Sequence, residues 1–145
     1  MELAVSVKQR HDADAATSVV VGSDADIINA RQRGRSYVLG LGFSSPEATL
    51  IATAISELAR NIVQYASRGE IVLQSCERDG RAGVVVIARD EGPGIPERER
   101  LEIDEISPNA GRLGLRGMKR LVDDLEVVTT EGAGTTVRVT KWRVP

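Results

Sequence analysis

The sequence predicts a two-layer α/β sandwich: a mixed, mostly antiparallel sheet with three or four helices stacked on one face. Three observations carry this. A stretch from Pro46 to about Ala66 repeats its apolar residues at intervals of three and four, the spacing of one buried helix face. Two β-branched runs flank Asp79-Gly80, a strong hairpin signal. Neither a Gly-x-x-x-x-Gly-Lys-Ser/Thr loop nor a Gly-x-Gly-x-x-Gly after the first strand occurs, so the common parallel-sheet nucleotide folds are not indicated.

The 145 residues suit one domain. Residues 1–16 are read as an N-terminal extension, an edge strand or a partly disordered segment, and 17–145 as the domain. Leu3, Val5 and Val7 alternate weakly before a polar run from Lys8 to Asp14. The net charge is −2 with both signs interspersed, which argues for neither nucleic acid nor an anionic membrane as partner. No signal-peptide pattern opens the chain, and no apolar run approaches the ~20 residues of a membrane span. The single Cys76 excludes an internal disulfide and fits a reducing cytoplasm. His11 is the only histidine, which removes histidine dyads, most zinc sites and histidine phosphoacceptor chemistry.

Thr17 to Gly22 reads as a strand. Ser23 or Asp24 caps a helix to about Leu39, with Ile27, Ile28, Ala30, Arg31, Gly34, Tyr37 and Val38 as inner candidates. Arg31, Arg33 and Arg35 form a solvated helix face or, as a sharper reading, a docking surface for an acidic partner. Gly40 and Gly42 end this helix. The next has Ser44 or Ser45 as cap, Pro46 at its first position and Glu47 in its first turn, where a carboxylate suits the dipole. Its inner residues are Leu50, Ile51, Ala54, Ile55, Leu58, Ile62 and Tyr65. At about 100° per residue Asn61 falls within this arc and Glu57 on its edge, one turn apart, while Ser56 and Arg60 point away. Taken alone, this is equally an ordinary amphipathic helix whose Asn makes a core hydrogen bond.

Glu70 to Glu77 alternates as a strand, with Cys76 read as a packed or surface thiol. Ala82 to Arg89 is a buried strand that ends on Asp90-Glu91-Gly92-Pro93-Gly94-Ile95-Pro96. An acid at a strand end, followed by glycines, is a common way to hold a base or sugar; by itself it is also an ordinary tight turn. The charged segment Glu97–Ala110 is read as a lid over phosphates or a solvated connection. Leu113–Leu125 is expected to become an amphipathic helix with Leu115, Met118, Leu121, Val122 and Leu125 inward. Its glycine-rich start would present N–H groups and the positive dipole end to phosphate. Strands Leu125–Thr130 and Thr135–Trp142 close the sheet, with Trp142 as a packing residue.

These motifs together resemble the GHKL (Bergerat-fold) ATPase/kinase superfamily. Glu57-Leu58-Ala59-Arg60-Asn61 is similar to its N box, and Asp90-Glu91-Gly92-Pro93-Gly94 to its G1 box. Gly114-Leu115 is similar to the G2 box, and Gly132-Ala133-Gly134-Thr135-Thr136 to the last box. Ala30–Arg35, Thr53–Asn61, Asp90–Pro96, Gly117–Leu121 and Thr140–Trp142 most resemble the RsbT-type switch serine/threonine kinases of the bacterial stressosome.

That resemblance implies ATP and Mg2+ as cofactors and a set of roles. Asp90 accepts from the adenine amino group, while Gly92, Gly94 and Ile95 line the base. Asn61 ligates Mg2+ and Glu57 orients or deprotonates the attacking hydroxyl. Gly111, Arg112, Gly114 and Leu115 line the phosphate channel, and Thr135 closes the adenine side. The implied partners are a STAS-domain protein (RsbS/RsbR-like), as substrate and sequestering partner, and a downstream RsbU-like phosphatase. The phosphate loop departs from the family in being poorer in glycine and about one residue shorter. Arg112 there either blocks close backbone approach or places a cation on the γ-phosphate. The readings in competition are therefore a cytoplasmic protein kinase of stress signalling, an anti-sigma factor, and an interaction module that no longer transfers phosphate.

Overall fold

The computed structural model describes residues 16–92, 117–130 and 132–145. Met1–Ala15 and the Glu97–Ala110 segment lie outside them, as do Gly94, Ile95, Gly111, Arg112, Gly114 and Leu115.

The chain runs β1 (Thr17–Val21), α1 (Asp24–Gly40), α2 (Ser45–Ala66), β2 (Gly69–Arg78), β3 (Arg81–Asp90), β4 (Asp124–Thr130) and β5 (Gly134–Trp142). The sheet order is β1-β2-β3-β5-β4, and every neighbouring pair is antiparallel. This is the α/β sandwich expected, with two helices among the described residues.

Helix α2 is organised from its first turn. Ser44 caps it: its Oγ accepts the Glu47 N–H at 3.2 Å, and the Glu47 carboxylate accepts the Ser44 N–H at 2.8 Å. This reciprocal box satisfies two of the donors a helix start leaves unpaired. The helix then buries a wide arc, Ile51, Ile55, Leu58 and Ile62 among it, because α1 covers one side and the sheet the other. That double cover explains two departures from the sequence reading. Ser56 is buried, its hydroxyl donating to the Ala52 carbonyl at 3.1 Å, whereas Leu50, placed inside by periodicity, is exposed.

Helix α1 is capped by Ser23, whose Oγ accepts the Asp26 N–H. Ile27, Ala30, Gly34 and Val38 face inward, but Ile28 and Arg31, also expected inside, are exposed. The buried positions follow a narrow i, i+3/i+4 stripe, the side on which α1 meets α2 and the β1–β2 edge of the sheet. Gly34 makes the crossing with α2 close: a β-carbon there would lie 2.2 Å from Ile55 Cδ1.

The core fills the gap between α2 and the sheet with Val19, Val21, Ile71, Leu73, Val84, Val86, Val137 and Val139, alternate residues of their strands. On the opposite face Glu70 pairs with Arg89 at 3.1 Å, and Val20 and Val128 are exposed.

The helix expected over Leu113–Leu125 does not continue to its predicted end. Of the described residues in this stretch, only Gly117 and Met118 are helical, and β4 begins at Asp124. The chain is drawn off into the sheet by two bonds: the Asp123 N–H donates to the Thr140 carbonyl at 2.9 Å, and the Trp142 N–H to Asp123 Oδ2 at 2.6 Å. Met118 and Val122 are nonetheless buried, and Leu121 and Leu125 pack against the core. No helix among the described residues is long and apolar enough to cross a membrane.

Candidate nucleotide site

Asp90 is the last residue of β3. Across the sheet it stands between Gly69 of β2 and Thr135 of β5. By alternation it shares the face of the buried Val86 and Ala88, so its carboxylate belongs to the layer between sheet and α2. Oδ1 accepts the Gly92 N–H at 2.9 Å, a local turn that leaves the second oxygen of the carboxylate for another donor. Thr135 is buried.

Glycines allow this crowding. Gly134 has φ +106°, and a β-carbon on it would lie 2.2 Å from the Asp90 carbonyl oxygen. On Gly92 the same atom would lie 2.6 Å from Ala66 Cβ and 2.9 Å from the Tyr65 carbonyl oxygen. The sequence reading gave Gly92 the task of admitting a base; its described contacts are with the end of α2, so it also locks the turn after Asp90 against that helix. On Gly69 a β-carbon would stand 2.9 Å from Ile62 Cγ2, which places the turn of α2 holding Asn61 and Ile62 over the strand beside Asp90. Neither Gly69 nor Gly134 is a site residue by sequence: Gly69 reads only as a break before a strand, and Gly134 only as part of the motif similar to the last box.

Glu57 is 7% exposed, deeper than the edge position expected of it, and Asn61 is half-buried one turn on. Glu57 Oε2 pairs with Arg60 Nη1. Glu57 Oε1 is covered and has no hydrogen-bond partner among the described residues. Arg60 was expected to point away; it reaches back over one turn instead, its long stem following the helix surface.

A cleft of about 730 Å³ opens at the same strand ends, lined by Ala66, Arg68, Gly69, Asp90, Glu91 and Thr136, and reaches the outer sheet face at Val20, Glu70 and Arg89. Glu57 and Asn61 do not line it; they sit in the helix layer on the other side of the Asp90 row. The described residues thus gather Asp90, Gly92 and Thr135 at one end of the sheet, with the end of α2 packed on them.

For the magnesium ion that the resemblance implies, the donor set fits a hydrated ion. No group of three His, Cys, Asp or Glu able to hold a metal occurs among the described residues. A single amide beside a buried carboxylate suits Mg2+, which keeps several waters and shares its remaining ligands with phosphates.

Residues 22–141 match the family model described as a histidine kinase-like ATPase domain. The chain is 41% identical over 125 residues to the serine/threonine-protein kinase RsbT of Bacillus subtilis, covering 86% of this chain and 94% of the relative. It is 33% identical over 99 residues to an anti-sigma F factor of Caldanaerobacter subterraneus, covering 63% and 68%. Among solved structures, the RsbU and RsbW domains of a Mycobacterium tuberculosis protein align with a TM-score of 0.58 at 22% identity, over 89% of this chain and 32% of theirs; that likeness concerns the fold. With a family model spanning most of its length and a relative 41% identical over most of both chains, the chain belongs to the histidine kinase-like (GHKL-type) ATPase domain family.

Proposed function

We propose that this protein is an ATP-dependent serine/threonine kinase of the RsbT type, acting in the cytoplasm in the control of a sigma factor. Its substrate is a STAS-domain antagonist, which also sequesters it. Once released, it activates a downstream phosphatase. One observation carries the reading: a buried carboxylate with an unpartnered oxygen, Glu57 Oε1, lies one turn from Asn61 on the helix whose end packs against the Asp90-Gly92 turn.

The residues divide the work as follows. The oxygen of Asp90 not engaged by Gly92 accepts from the adenine amino group, and Gly92, Gly94, Ile95 and Thr135 enclose the base. Asn61 would hold Mg2+, which when bound neutralises phosphate charge. Gly111, Arg112, Gly114 and Leu115 form the phosphate channel. Glu57 takes the proton of the acceptor hydroxyl as that oxygen bonds to the γ-phosphorus. The bond from the γ-phosphorus to the β-bridging oxygen breaks, and ADP leaves with the electron pair.

The test mixes the protein with Mg-ATP and the STAS-domain protein encoded nearest to it, with Asp90→Asn as control, and reads the partner's intact mass. A phosphate gained with the wild type and absent with the control supports the kinase and the site together. No gain, with ATP binding retained by titration, favours an anti-sigma or binding-module role. The first of these has the anti-sigma F relatives in its favour, and capture of a sigma factor dependent on nucleotide is its signature.

A further inference from the structure

We infer that Arg60 is a positioning residue for phosphoryl transfer, one that aims the Glu57 carboxylate; the inference rests on the kinase reading above. A carboxylate offers two oxygens and about four lone-pair sites. In Glu57 they are used unequally: Oε2 is held by Arg60 Nη1, while Oε1 is covered and unpartnered among the described residues. A buried carboxylate oxygen without a donor is unfavourable, and an unrestrained carboxylate can turn about its terminal torsion, which is broad. The guanidinium prevents this by fixing one oxygen and thereby the direction of the other.

The asymmetry of burial separates this pair from an ordinary helix-surface pair. The Arg60 side chain is 43% exposed and the Glu57 side chain 9%. The arginine thus gives up little hydration, keeps its head at the rim, and supplies a counter-charge to a group within the core. A pair with both partners exposed would be screened by water and contribute little. Arg60 also precedes Asn61 in the chain, so the residue that aims the base adjoins the one assigned to the metal. A displacement of its carboxylate partner is then a displacement within the reacting geometry, where about 1 Å costs on the order of a hundredfold in rate.

The experiment measures steady-state turnover of Mg-ATP, with the STAS-domain protein and with water as acceptors, for the wild type, Arg60→Ala, Arg60→Lys and Arg60→Ala in the Glu57→Gln background. We expect kcat of Arg60→Ala to fall roughly ten- to a hundredfold, with KM for ATP within about twofold because the adenine end is untouched. Lysine should restore part of the loss, since it keeps the charge but not the fork. In the Glu57→Gln background the residual turnover should fall no further. An unchanged kcat in Arg60→Ala, a rise in KM that accounts for the loss, or full additivity with Glu57→Gln each overturns the assignment while leaving the kinase intact. A wild type with no turnover on either acceptor overturns the kinase reading and this inference with it.

Discussion

Glu47 Oε2 accepts the Val144 backbone N–H at 2.7 Å, joining residues 97 positions apart. The same carboxylate closes the capping box at Ser44 through Oε1. One buried side chain thus ties the start of α2, the helix carrying Glu57 and Asn61, to the exit of β5, the strand carrying Thr135. Burial pushes the Glu47 carboxyl up, but the Ser44 and Val144 N–H groups, the Ser44 hydroxyl and the Lys141 charge outweigh it and hold it below its ordinary value of 4.5.

That linkage sets the direction of a pH effect. A carboxyl whose folded value is depressed stabilises the fold fully above its unfolded value, and the contribution disappears as pH falls through the folded one. We expect Glu47→Ala to lower stability by about 1–3 kcal/mol at neutral pH, through the lost cap and the unpaired Val144 N–H. Urea melts from pH 7 down to about 3 should show a shallower acid-side decline in this variant than in the wild type. A parallel decline in the two proteins would remove Glu47 from the account.

Gly134 and Gly132 make a matched pair. Both have positive φ, +106° and +77°, but a β-carbon on Gly132 meets nothing within 4 Å, whereas on Gly134 it would meet the Asp90 carbonyl oxygen at 2.2 Å. Gly132→Ala should cost about 1–2 kcal/mol, the left-handed penalty alone. Gly134→Ala adds a backbone clash that forces β5 away from the end of β3, so the loss should be larger and ATP binding should weaken with it. Thermal melts and nucleotide titration of both variants check the order; equal losses would mean that β5 yields without strain.

Much of this was legible in the sequence, and the failures share a cause. Periodicity placed α2 within a residue of its observed ends, because caps and breakers are local chemistry: Ser44, Pro46, Glu47 and then Gly69. The β-branched runs and Asp79-Gly80 gave β2 and β3 with their hairpin. Tertiary contacts decided the rest. Ser56 is buried because α2 is covered on two sides, which no single-helix pattern encodes. The expected helix to Leu125 stops early because Asp123 bonds to β5, a partner distant in the chain. Arg60 was assigned to solvent by its angular position, yet a side chain of its length crosses that angle. Asp90 was legible as an acid at a strand end, but the crowding by Gly69, Gly92 and Gly134 that frames it was not.

Asp90→Asn separates the turn from the ligand. An asparagine oxygen can still accept the Gly92 N–H, a bond of 2.9 Å in the wild type, so the turn after β3 should survive and the melting temperature should change little. The charged acceptor proposed for the adenine amino group is lost, and the expected cost is about 1.5–3 kcal/mol, roughly ten- to a hundredfold in affinity. Calorimetric titration with ATP against a thermal melt distinguishes the two effects. Normal affinity would refute the adenine role of Asp90, and a large fall in melting temperature would make the residue structural.

Glu57→Ala tests whether the site carries a cost in stability. Removing the side chain deletes the Arg60 pair, a loss, and also deletes a covered oxygen without a partner among the described residues, a gain of about 1–3 kcal/mol. A cavity term opposes that gain, so the net change should lie within about 1 kcal/mol of zero, small for a residue so deeply placed. Phosphotransfer should vanish while ATP binding persists, because the contacts assigned to adenine lie on β3 and β5 rather than on this part of α2. Denaturant melts, nucleotide titration and partner mass together decide it. Retained transfer would sink the role given to Glu57, and a destabilisation of several kcal/mol would mean that the carboxylate is held for packing rather than for chemistry.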